Sequence, residues 1–97
     1  MHIIDMSNHQ EELDILERMN YEVLGRESNI EFMTIQGLRD HENYNYFWEE
    51  YLLYLKAYNK LKLDFNNNVI YPEAQKIGLK DYRWEVIFEK KEVLIHE

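Results

Sequence analysis

Residues Tyr44 to Phe65 read YNYFWEEYLLYLKAYNKLKLDF, and the fold turns on whether they form one helix. Advancing about 100° per residue gathers Tyr44, Phe47, Trp48, Tyr51, Leu52, Tyr54, Leu55, Tyr58, Leu61, Leu63 and Phe65 into an arc of roughly 200°. Glu49, Glu50, Lys56, Lys60 and Asp64 take the other side. The spacing predicts a helix of about six turns. An apolar arc so wide exceeds what one neighbouring element covers, so packing is expected on two sides, from the same chain, a second copy or a partner.

Upstream, Ser7 to Gln10 reads SNHQ, a capping box that predicts a helix start at Ser7. Leu13, Leu16, Met19 or Asn20, and Val23 then recur at helical spacing, and Gly25 is expected to end the helix in a left-handed conformation. Glu11, Asp14, Glu17 and Arg18 fall on the opposite face, with Asp14 and Arg18 spaced as an i,i+4 pair. A second box, SNIE at Ser28 to Glu31, predicts another short helix that stops at Gly37. Asp40 or Asn43 suits the cap of the central helix. Before all of these, His2 to Met6 has the β-branched residues of a short strand.

Downstream, Asn66, Asn67 and Asn68 are expected to end the central helix. Pro72 suits the first turn of a short helix, PEAQKI, with Gly78 just past its end. From Asp81 to Glu97, Trp84, Val86 and Phe88 alternate. A tight turn at Lys90 and Lys91 would set Phe88 against Val93 and Val86 against Ile95. The N-terminal strand then adds an edge. The expected fold is α+β, a single compact domain over residues 1–97, with a long central helix, shorter helices packed on it and a small antiparallel C-terminal hairpin. An all-α bundle is the alternative, since Trp84, Ile87, Phe88, Leu94 and Ile95 also share a helical face.

Composition narrows the function. With 45% hydrophobic and 14% aromatic residues, 3 Gly and 1 Pro, the chain lies far from disordered sequences. It contains no cysteine, which removes disulfides and thiolate chemistry and fits a reducing, cytoplasmic setting. Neither a secretory signal nor a membrane span is legible. The formal charge of −8 is uneven: residues 1–50 carry twelve acids against three bases, residues 51–97 seven against eight. Such a balance disfavours phosphate backbones and favours a basic protein surface.

Specific chemistry is not signalled. The histidines, at 2, 9, 41 and 96, have no metal-ligand spacing, and His41-Glu42 lacks the second histidine of HExxH because Asn45 follows. Neighbouring carboxylates such as Glu49 and Glu50 lie toward the polar side of a helix, and nothing suggests the burial that acid–base work would need. Nucleophile and phosphate-loop motifs are absent, so no enzyme, cofactor or metal is expected. The aromatic content stands out: eight tyrosines and two tryptophans, with Tyr44, Tyr46, Phe47, Trp48 and Tyr51 concentrated in two turns. Rings with a polar tip suit surfaces that are soluble alone and dry when bound. Tyr46 falls off the apolar arc and is expected to be exposed.

The expected function is a small acidic protein-binding module, an inhibitor, adaptor or immunity-type regulator. Its partner-binding residues would be Glu11, Asp14 and Glu17 on the first helix, with Tyr46 and Trp48 on the central one. They would occlude a basic surface on another protein, one that normally holds nucleic acid being the sharpest case. By analogy of class alone, small acidic proteins of this kind recur among mobile-element regulators. The alternatives are a homodimeric or assembly component sharing the aromatic arc, and a nucleic-acid binder acting through C-terminal lysines.

Overall fold

The computed structural model describes residues 1–97. In chain order the elements are β1 (His2–Asp5), α1 (Gln10–Ile35), α2 (Tyr44–Phe65), α3 (Tyr71–Lys76), β2 (Arg83–Ile87) and β3 (Glu92–His96). The fold is α+β: two long helices packed together, and a three-stranded antiparallel sheet in the order β1-β3-β2. The chain divides into two compact units. One joins Met1–Glu17 to Leu61–Glu97, and the other is Arg18–Lys60, so the boundary falls inside both long helices. No helix is long and apolar enough to cross a membrane.

The first unit holds the sheet. β3 lies at its centre, pairing Val93 with Ile4 and Val86, and Ile95 with His2 and Trp84. Because side chains alternate along a strand, Val93 and Ile95 share one face. Both are fully buried, together with Met6, Leu13 and Ile70. The Phe65 ring lies 5.5 Å from Trp84, and the Tyr82 hydroxyl donates to Asn66 Oδ1 at 2.9 Å.

Two sequence expectations are corrected in this unit. The hairpin exists, but Val86 pairs with Val93 rather than Ile95, a shift of two residues. Lys90 and Lys91 do not make a two-residue turn. The chain closes through a 3-10 turn at Phe88–Lys90, followed by Lys91 in the left-handed region with φ 55°. The longer loop removes the facing of Glu89 and Glu92 that the tighter turn implied. An even shift leaves every side chain on its expected face. α2 ends at Phe65, just ahead of the three asparagines as expected, but no loop follows. The chain continues through a π-turn at Asn66–Ile70 directly into α3. Pro72 has no N–H to give to the carbonyl four residues back, and the ladder widens just ahead of it. That widening lets Phe65, Val69, Ile70 and Ala74 all be buried.

A further correction concerns the start of α1. The chain enters through a 3-10 turn at Ser7–His9 without a side-chain cap from Met6, which stands at the cap position. The Ser7 amide instead donates to Asp5 Oδ1 at 3.0 Å. Asp14 pairs with Lys91, Nζ to Oδ1 at 3.0 Å, rather than with Arg18.

In the second unit, α1 runs through Gly25 without a break, and the SNIE box at Ser28 lies mid-helix. One long helix replaces the two short ones expected. Val23, Ile30 and Met33 continue its buried stripe, and a mid-helix glycine costs only about 1 kcal/mol relative to alanine. The real stop is Gly37, with φ 71°. Its amide donates to the Thr34 carbonyl, and the Leu38 amide reaches back to the Met33 carbonyl at 2.8 Å. This is the paired 5→2 and 6→1 pattern of a Schellman ending. Asn43 stands at the cap position of α2, its carbonyl accepting from the Phe47 amide and its own amide donating to His41 Nδ1.

Candidate partner-binding site

The five residues singled out from the sequence divide between the units. Glu11, Asp14 and Glu17 stand three residues apart on α1 in the first unit and so share one face. Glu11 and Asp14 are exposed and Glu17 is half-buried. The Lys91 pair already offsets Asp14. Tyr46 and Trp48 belong to α2 in the second unit. Two residues apart on a helix, they point to roughly opposite sides, so the structure does not bring them into one surface. Tyr46 is 59% exposed, beyond the apolar arc as expected, with its ring tilted against Phe47 at 5.9 Å. Trp48, 38% exposed, stands edge-on to Tyr44 at 6.5 Å and to Tyr51 at 5.7 Å.

The second unit has two lateral sides of different character. On one, Arg26 from α1 lies over the Tyr54 ring of α2, 3.5 Å from its centroid. Its Nη2 donates to Glu50 Oε1 at 2.9 Å, and its Nη1 donates to the Glu22 carboxylate and carbonyl. Burial acts to lower the Arg26 pKa, but its hydrogen bonds to the Glu22 and Glu50 carboxylates outweigh it and the net shift is upward. The guanidinium stays charged while stacked on a ring and flanked by carboxylates, an arrangement its planar fork suits.

On the other side a groove of about 460 Å³ opens between α1 and α2. Tyr44, Trp48 and Tyr51 line it from α2, while Glu27, Glu31 and Ile35 line it from α1. The Tyr44 hydroxyl lies 3.3 Å from Thr34 Oγ1, pinning that ring across the gap. The bond to Thr34, reinforced by one from Trp48, lowers the Tyr44 pKa. No ion pair engages Glu27 or Glu31. Arg39 lines the same groove.

The sequence did not single out Arg26, Glu27, Glu31 or Tyr51 as site residues. Glu22 and Arg26 stand at i,i+4 with the acid first, a legible signal. The SNIE pattern reads as a helix cap that includes Glu31, which hides its place on a continuous helical face. Nowhere do three histidine, aspartate or glutamate side chains converge as a metal site. Neither family models, nor curated proteins, nor solved structures match this chain.

Proposed function

We propose that this chain is a small acidic, non-enzymatic module that binds another protein through a basic surface on that partner. The observation that carries the proposal is the apolar surface of the second unit. Residues 18–60 bury only three large apolar side chains, Val23, Ile30 and Met33, yet expose nine, among them Ile35 at 79%, Leu53 at 67%, Phe32, Tyr46 and Trp48. So many exposed apolar side chains on one small unit suit contact with a partner. The net charge of −8 supplies the sign of the partner.

Glu11, Asp14 and Glu17 would steer association, while the aromatic residues of α2, Trp48 foremost, would supply contact area. Steric and electrostatic occlusion then follows from binding alone, with inhibition, adaptation or immunity-type protection as its use. The test is affinity capture by the full chain from cells that express it, with elution by salt. Capture that weakens steeply with salt, and weakens further for the triple variant E11K/D14K/E17K, is expected. Salt-insensitive capture that the triple variant leaves unchanged would remove the electrostatic basis.

A further inference from the structure

We propose that the groove between α1 and α2, lined by Tyr44, Trp48 and Tyr51 and flanked by Glu27 and Glu31, receives an arginine side chain from a segment of the partner protein. The proposal rests on the protein-binding function above and names the group that the groove recognises. Its template lies in the same unit. There the chain fills one side with its own Arg26, stacked on Tyr54 and bonded to Glu22 and Glu50. The groove on the other side offers the same kinds of group, aromatic rings from α2 and two carboxylates, here both from α1, without an ion pair to either carboxylate.

The ring geometry favours such a guest. Tyr44 with Trp48, and Trp48 with Tyr51, both meet at 81°. Each edge-on contact uses the face of one ring only, leaving other ring faces for a planar cation. Glu27 is half-buried, and a carboxylate drawn partly from water gains most from a charged donor. Arginine fits better than lysine because it stacks and forks at once, while lysine is a hydrated point charge. Ile30 and Ile35 line the groove as well, so apolar residues are expected beside the arginine. A second copy of this chain is the weaker occupant: a two-fold contact here would bring Glu27 and Glu31 towards their own equivalents. Arg39 lines the groove without an ion pair to either carboxylate and would compete with the incoming arginine rather than help to receive it.

The experiment is an NMR titration of the isotope-labelled full chain with a synthetic peptide of alternating leucine and arginine. Peptides carrying lysine or glutamate in place of arginine serve as comparisons. The arginine peptide is expected to shift the Trp48 indole and the amides around Glu27–Ile35. Binding should weaken about tenfold in the isosteric variant E27Q/E31Q, as loss of a charged hydrogen bond implies. The lysine peptide should bind more weakly, the glutamate peptide should leave the groove signals unmoved, and R39A should bind at least as tightly as the parent. Because Glu27→Gln and Glu31→Gln preserve shape, their effect is separable from misfolding, which the spectrum of the free variant reports directly. An unmoved Trp48 signal, or unchanged affinity in E27Q/E31Q, would overturn the proposal. Shifts confined to Glu11, Asp14 and Glu17 would overturn it too, while leaving the protein-binding function standing. Groove signals that move with protein concentration in the absence of peptide would assign the groove to a second copy instead.

Discussion

The two units solve the same packing problem with opposite success. In the first, nine apolar residues are buried, and Met6, Ile70, Ala74, Val93 and Ile95 lose all contact with water. In the second, three are buried and none completely. The sheet explains the first case. A central strand with neighbours on both edges lays down a continuous apolar face, and the π-turn adds residues of matching shape. Two helices alone offer each other one seam apiece, and the aromatic arc of α2 is wider than one seam. The first unit therefore has the closed core, the second the surface to spare.

That contrast can be broken most decisively by truncating apolar side chains in each unit. Ile95→Ala should cost about 2–5 kcal/mol, as fully buried large-to-small changes do. Leu53→Ala should stay within about 0.5 kcal/mol, as exposed changes do. Urea denaturation of both variants measures the pair, and equal costs would erase the distinction. The next effect concerns Arg26, which joins the helices of the second unit. Arg26→Gln removes the ring stacking and both carboxylate bonds. With its side chain one-fifth exposed and that of Glu50 more so, a loss of about 1 kcal/mol is expected after solvent screening. Hydrogen exchange should then rise in residues 22–30 and 50–54.

The glycines sharpen the comparison at a smaller scale. An added Cβ at Gly25 meets nothing within 4 Å, and the residue is helical, so Gly25→Ala should stabilise the chain by about 0.5–1 kcal/mol. Gly37→Ala also meets open space but must adopt a φ of 71°, and about 1 kcal/mol should be lost. Opposite signs in thermal melts verify the continuity of α1. The smallest effect is a pH dependence. Burial raises the Tyr58 pKa above its ordinary 10.0, so the unfolded chain ionises there first. Its contribution is whole below pH 10 and is lost as pH climbs through the unfolded value towards the raised folded one. Tyr58→Phe should flatten that alkaline decline in a stability–pH series.

Much of this was legible in the residues. Periodicity from Tyr44 to Phe65 marked α2 to its terminal residues, alternation favoured the C-terminal hairpin without excluding a helix, and Pro72 with Gly78 marked α3 to within a residue. Gly78, like Gly37, takes a positive φ and is followed by a leucine whose amide reaches back five residues. Gly25 is followed by Arg26. An apolar residue after the glycine accompanies a true Schellman ending, so the difference between these glycines was already written locally.

Tertiary structure alone decided the rest. Hairpin register depends on which loop the backbone accepts, and Lys91 took a left-handed conformation that its residue type disfavours because the sheet faces around it had to match. The partner of Arg26 lies twenty-four residues away in Glu50, and only the return of α2 along α1 puts a ring beneath that guanidinium. Sequence periodicity names the face a side chain occupies, since the backbone repeat is local; what stands opposite that face is a property of the folded chain.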